Sequence, residues 1–147
     1  MIRRIRTNDL DAVMQIWLTA NTEAHSFIPA EYWKNNETLV RSLLPQAEVL
    51  VFEDDNGTID GFLGLMEDYI AGLFVRKEAR SKGVGKALLD PARQSRNSLR
   101  LQVYEENRRA LRFYQREGFV VYSSQIDEET SQKELCMSWK KREGETA

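Results

Sequence analysis

Leu73-Phe74-Val75-Arg76-Lys77-Glu78-Ala79-Arg80-Ser81-Lys82-Gly83-Val84-Gly85-Lys86-Ala87-Leu88-Leu89 is the stretch that decides the fold. Three β-prone residues run into a charged loop, which passes through two glycines into a pattern with apolar residues at 84, 87 and 88. The spacing predicts a strand, a loop and the start of a helix. The first amides of a helix have no acceptor within it and stand at the positive end of its dipole, so such a junction attracts anions. Gly83 and Gly85 let an anion approach the main chain without meeting a Cβ, and a phosphate is the expected guest. Two familiar phosphate loops are excluded by the residues themselves. A P-loop needs Ser or Thr after Gly85-Lys86, where Ala87 stands, and a dinucleotide fingerprint needs a third small residue where Leu88 stands.

Upstream of this junction the chain predicts a layered α/β domain. Residues 2–6 make a short strand, and Thr7-Asn8 with Asp9 and Asp11 start a helix. Leu10, Val13, Met14, Trp17 and Leu18 then share one helical face, a stripe that belongs to a core. A connection through His25, the chain's single histidine, precedes a second helix from about Ala30 to Leu44 that carries Tyr32 and Trp33. Glu48 to Glu53 alternates as a strand, Asn56-Gly57 marks a hairpin turn, and Ile59 to Met66 returns. Gly61 and Gly64 inside that strand predict a bulge or a close backbone approach. After the turn at Glu67-Asp68, Tyr69 to Val75 completes a three-stranded antiparallel meander.

Downstream, Pro91 falls where the helix after Gly83 should be in full course, and its missing N–H predicts a kink or an early stop. Lys82 and Lys86 face the expected anion, whereas Arg93 and Arg96 read as solvated. Leu99 to Tyr104 is a fifth strand. Asn107 is an N-cap, Ala110, Leu111 and Tyr114 share a helical face, and Gly118 is a C-cap. Tyr122 to Ile126 and Lys133 to Trp139 close the sheet around an Asp127-Glu128-Glu129 turn that reads as solvated, with Lys140 to Ala147 a polar tail.

Composition bounds the function. The 147 residues suffice for one domain with a proper core, and 21 basic against 23 acidic side chains give a net charge of −2. That balance argues against a nucleic-acid or anionic-membrane partner. Cys136 is the single cysteine, which excludes an internal disulfide and a cysteine metal site and fits a reducing compartment. No stretch has the length and apolarity of a signal peptide or a membrane span, so the expectation is a cytoplasmic protein without a metal.

R-x-x-G-x-G at 80–85, followed after an intervening strand by N-x-x-A-x-x-F-Y-x-x-x-G-F at 107–119, resembles the paired hallmarks of the GNAT superfamily of acyl-CoA-dependent N-acyltransferases. The resemblance spans residues 2 to about 140. It is nearest to small bacterial members that share a His-x-Phe-Ile and Glu-Tyr-Trp stretch, here His25 to Ile28 and Glu31 to Trp33, some of which acetylate protein lysines. The chain departs from the family pattern at Lys77, where proline is common, and at Ser81, where glycine is common.

The resemblance implies a single GNAT domain over residues 1–140, with residues 141–147 as a tail. Its fold is α/β (α+β): a mixed, mostly antiparallel sheet of six to seven strands with about four helices on its two faces. It implies acetyl-CoA as acyl donor, with Leu73, Phe74 and Val75 along the pantetheine arm and Arg80, Ser81, Lys82, Gly83, Val84, Gly85 and Lys86 around the diphosphate. Asn107 would hydrogen-bond the cofactor arm, and Tyr114 would donate a proton to the leaving sulfur. His25, Tyr32 and Glu105 would line the acceptor groove, with Glu67 the first choice for general base. The acceptor would be a primary amine, on a small molecule or a protein, attacked directly in a ternary complex by a monomer or homodimer. The alternative is a non-catalytic acyl-CoA-binding regulatory module, which would keep the phosphate loop without turnover.

Overall fold

The alternation at Glu48–Glu53 (β2) buries Val49 and Val51, and the turn after it is tied by the Asp54 carboxylate, which accepts from the Asn56 and Thr58 amides. Gly57 there takes φ +83°, and the chain returns antiparallel as Ile59–Met66 (β3). Tyr69–Val75 (β4) continues the meander, as the sequence predicts. The computed structural model describes residues 1–142, and the remaining elements are β1 (Ile2–Arg4), α1 (Leu10–Ala24), α2 (Ala30–Leu43), α3 (Val84–Ser95), β5 (Ser98–Tyr104), α4 (Arg108–Arg116), β6 (Val120–Asp127) and β7 (Gln132–Lys140). The part of the expected tail beyond residue 142 lies outside the described residues.

One seven-stranded sheet orders the strands β1-β2-β3-β4-β5-β7-β6, and β4 with β5 is its one parallel pair. The apolar stripe of α1 buries Val13, Met14 and Trp17 with Trp33 of α2 against Val49, Val51 and Phe62. On the opposite face, Val84, Leu88 and Leu89 of α3 and Tyr114 of α4 pack on Leu63, Leu65, Leu101 and Met137. The expected fold class therefore holds: a mixed sheet with four helices, two on each face.

Gly61 shows why the meander needs a glycine. A Cβ at this position would lie 2.7 Å from the Phe74 carbonyl oxygen, a main-chain atom of the adjacent strand that cannot swing aside. Gly61→Ala is expected to push β3 from β4 and to destabilise the domain by about 1–3 kcal/mol, the usual range for overpacking. Denaturant titration would show it as a lower midpoint.

Two local expectations change. Helix α3 runs unbroken from Val84 to Ser95 with Pro91 inside it, so the proline neither ends nor shortens the element. Leu88, Leu89 and Ala92 on either side of Pro91 are buried, and their apolar burial holds the helix together where one backbone bond is missing. Arg93 and Arg96 are not solvated. Arg93 donates to the Glu117 carbonyl oxygen at 2.9 Å and to the Asp90 and Glu117 carboxylates, clamping α3 to the end of α4. Arg96 donates to the Glu67 carbonyl oxygen at 2.7 Å and to Glu48, locking the end of α3 to the β3–β4 turn.

Candidate active site

The site starts with a strand that is central in order yet only half covered. The β4–β5 register holds Tyr69 beside Arg100 and Ile70 beside Leu101, and then the strands part. Ala71 is an extra residue: Gly64 pairs with Gly72 while Leu65 pairs with Ile70, which makes a β-bulge where the strands begin to diverge. Gly72, Leu73, Phe74 and Val75 consequently stay partly exposed. Their main-chain direction follows by alternation. The Arg76 amide donates to the Asp60 carbonyl oxygen across to β3, so Phe74 also faces β3, while Leu73 and Val75 turn their N–H and C=O groups toward the opening. A parted pair of strands thus offers the free edge that an extended ligand can pair with.

At the open end of β4 the chain turns back through a 3₁₀ turn at Lys77–Ala79 into α3. Ser81 takes φ +65° and Gly83 φ +81°. Serine here accepts a left-handed conformation that glycine adopts without strain, the physical content of its departure from the family pattern. No side chain caps α3, and a Cβ placed on Gly83 would find no atom within 4 Å. The helix mouth is open, with bare amides and a positive dipole end. Lys82 and Lys86 are exposed beside it, and Arg80 holds Glu23 of α1 at 3.3 Å. A concavity of about 580 Å³ is a separate open groove along the outer side of α3 that shares Lys86 with this loop.

Helix α4 is laid across α3 at the mouth. The ring of Phe113 would lie 3.0 Å from a Cβ on Gly85, so that glycine is what lets the two helices meet. The next residue, Tyr114, is 7% exposed, with Phe113 and Phe119 against its ring. Among the described residues its hydroxyl has no hydrogen-bond partner, and burial pushes its pKa well above the ordinary value for a phenol.

The other side of the opening is aromatic and acidic. His25 is 6% exposed, stacked on Trp33 and edge-on to Phe27 and Tyr104. Its Nδ1 lies 3.0 Å from the Asn21 carbonyl oxygen and its Nε2 lies 3.2 Å from Nδ2 of Asn107. Asn107 also caps α4, its Oδ1 accepting from the Ala110 amide at 3.3 Å. Tyr104 donates to Asp127 at 2.6 Å, and Tyr32 donates to Glu129 at 2.7 Å. Asp127 and Glu129 are thereby tied to β5 and α2, while Glu128 and Glu129 stay exposed, as expected of a solvated turn.

Residues 45–121 match the acetyltransferase (GNAT) domain family. The chain is 38% identical over 141 residues to the peptidyl-lysine N-acetyltransferase YiaC of Escherichia coli K12, covering 95% of this chain and 96% of that protein. The chain belongs to the GNAT family. Escherichia coli YjaB, also named a peptidyl-lysine N-acetyltransferase, is 34% identical over 128 residues, 86% of this chain and 87% of YjaB. The solution structure of apo YjaB superposes with a TM-score of 0.85 over 95% of this chain and 96% of YjaB. A more distant GNAT-like neighbour, a streptothricin acetyltransferase from Bacillus anthracis in complex with acetyl coenzyme A, shares the fold at TM-score 0.60 and 22% identity, over 65% of this chain and 63% of that one.

Within this GNAT domain the residues expected at the site divide into those brought together and those set apart. Leu73 to Val75 lie along the opening and the loop from Arg80 to Lys86 at its mouth, where Phe113, the neighbour of Tyr114, meets Gly85; Asn107 meets His25, and Tyr32 meets Glu129. Glu105, at the end of β5, meets Lys133 at 3.5 Å. Glu67 is set apart. It occupies the β3–β4 turn at φ +58°, tied through Arg96 to the end of α3 opposite its mouth, about 18 Å away by the length of a twelve-residue helix. The pairing of Tyr104 with Asp127 and of Tyr32 with Glu129 is beyond local pattern, because these contacts join β5 and α2 to a distant hairpin.

Burial pushes the His25 pKa down to about 4, partly opposed by its bond to the Asn21 carbonyl. In the unfolded chain the same ring protonates near pH 6.5. Its contribution to stability is thus full above that pH, declines as the pH falls toward 4, and levels off below. Chemical denaturation at pH 7.5 and at pH 5 is expected to show lower stability at the acid end, and His25→Phe should flatten that part of the profile.

Proposed function

We propose that this GNAT acetyltransferase transfers the acetyl group of acetyl-CoA to the ε-amine of a protein lysine in a ternary complex. The observation that carries the reading is the open α3 mouth at the end of a parted strand pair, with α4, which carries Tyr114, packed across that mouth through Phe113. The diphosphate of the cofactor would take the bare amides of Val84 to Lys86 with Lys82 and Lys86 beside it, and the pantetheine arm would pair with Leu73 and Val75. Leu73's N–H faces the same gap and would donate to the thioester oxygen as charge develops there.

The amine nitrogen attacks the thioester carbon, the tetrahedral intermediate collapses, and the carbon–sulfur bond breaks with its electron pair on sulfur. Tyr114 supplies the proton to that thiolate. Its raised pKa keeps it protonated at neutral pH, and the same dry surroundings raise the pKa of the thiol it serves, so the transfer stays close to balanced. A lysine amine has a pKa near 10.4, so a proton must leave it before attack. We assign that proton to water at the open end, where Glu105 lies, rather than to Glu67 at the closed end. The acidic, aromatic wall formed by Tyr32, Tyr104, Asp127 and Glu129 suits a cationic acceptor, and the names of the relatives YiaC and YjaB support a peptidyl lysine.

Calorimetry with acetyl-CoA, followed by thiol release in the presence of lysine-containing peptides and of free polyamines, tests this. Binding with peptide-dependent thiol release is the expected result. Binding without release for any amine would favour the acyl-CoA-binding module instead.

A further inference from the structure

His25 has been met so far as a candidate substrate contact, yet both of its ring nitrogens are already used inside the protein. A carbonyl oxygen only accepts, so the 3.0 Å contact with the Asn21 oxygen requires the proton to sit on Nδ1. Nε2 is then an acceptor, and the Asn107 group 3.2 Å away must be the NH₂ end of the amide. That orientation is the one in which Asn107 Oδ1 accepts from the Ala110 amide and caps α4. The amide has two ways to sit, and each end of it has one partner that accepts a single choice. Flipped, it would set its carbonyl oxygen against the lone pair of Nε2 and its NH₂ against the Ala110 N–H.

The ring itself has little freedom. Trp33, Phe27 and Tyr104 enclose it at centroid distances of 5.1, 5.5 and 5.2 Å, and Asn21 is held in turn by the bond from its own Nδ2 to the Trp17 carbonyl oxygen at 2.8 Å. The acids nearest this cluster, Asp127 and Glu129, are occupied by the Tyr104 and Tyr32 hydroxyls, and no carboxylate contributes to the state of the ring. The chain of contacts runs from α1 through His25 to the first turn of α4, between residues 82 apart in sequence. Tyr114 sits less than two turns beyond that cap.

We infer that His25 is a positioning residue: a neutral, Nδ1-protonated imidazole that sets the orientation of the Asn107 amide and so the start of the helix that carries Tyr114. This rests on the acetyltransferase reading for its consequence in catalysis, but the hydrogen-bond state of the ring does not depend on it. The role differs from that of a general base, because the ring never exchanges its proton with substrate. It also explains why an imidazole stands among aromatic rings: phenylalanine would fill the space but offers no acceptor to Asn107.

Because the chain has one histidine, ¹⁵N-histidine NMR of the intact protein reads this ring alone. The expected spectrum is a neutral ring with the proton on Nδ1, unchanged between about pH 8 and pH 5. In Asn107→Asp the carboxylate still caps Ala110 but donates nothing, so the proton should move to Nε2 or the ring should begin to titrate within that range. A merely space-filling histidine would show neither response. In kinetics, His25→Phe should lower kcat by about five- to tenfold, the equivalent of one hydrogen bond, with KM for acetyl-CoA nearly unchanged, and His25→Phe combined with Asn107→Ala should be no worse than Asn107→Ala alone. An Nε2-protonated ring, ordinary titration in the wild type, or additive losses in the double variant would overturn the inference. A silent kinetic assay with the expected spectrum would instead overturn the acetyltransferase reading.

Discussion

Replacing Tyr114 by phenylalanine is expected to lower kcat by about a hundredfold or more, the usual contribution of a positioned general acid, while leaving KM for acetyl-CoA nearly unchanged. The change should not lower stability. The Tyr114 side chain is buried and its hydroxyl has no partner among the described residues, so removing the oxygen takes away no hydrogen bond. The Phe113 and Phe119 contacts are made by the ring and survive. Steady-state kinetics and thermal unfolding of the same sample separate the two quantities. A fall in kcat together with a fall in melting temperature would point to packing rather than chemistry, and an unchanged kcat would remove Tyr114 from the reaction.

Gly83→Asn is the matching test of the anion site. Asparagine tolerates the left-handed conformation better than other side chains, and a Cβ at this position meets no protein atom within 4 Å, so the fold should be kept. What the new side chain would meet is the guest at the helix mouth. Losing one charge-assisted hydrogen bond there weakens acetyl-CoA binding by roughly ten- to a hundredfold. Calorimetry with acetyl-CoA and with CoA lacking the acetyl group should show the same loss for both, since the affected contact is to phosphate. Unchanged affinity for both would mean that the diphosphate binds elsewhere.

Pro91 and Glu67 show where reading the chain by itself falls short. A proline inside a helix is a local penalty of a few kcal/mol, and of the expected kink or early stop, the stop does not occur. It was overruled by the burial of Leu88, Leu89 and Ala92, a tertiary quantity. The resemblance puts Glu67 first because the counterpart of its position, at the end of the strand before the phosphate-loop strand, can face the substrate in such folds. Nearness in sequence to the start of a seven-residue strand is distance in space from its end, and Arg96 holds that turn at the closed end of the sheet. Arg93 and Arg96 misled in the same way, since charge on a helix face says nothing of which acids another element brings against it.

Patterns of short range were enough for the strand, glycine loop and helix at 73–89, the Asn107 cap and the Gly57 turn, because each depends on main-chain conformation and on neighbours within a few residues. From these alone came the layered α/β domain and the anion-binding mouth, and with the second motif the family. Three-dimensional packing alone decided that β4 and β5 part after Ile70, that the Tyr114 hydroxyl has no partner among the described residues, and that His25 meets Asn107. The reason is physical. A hydrogen bond between residues 82 apart, or its absence, is fixed by which surfaces the two cores bury, and no local spacing encodes that choice.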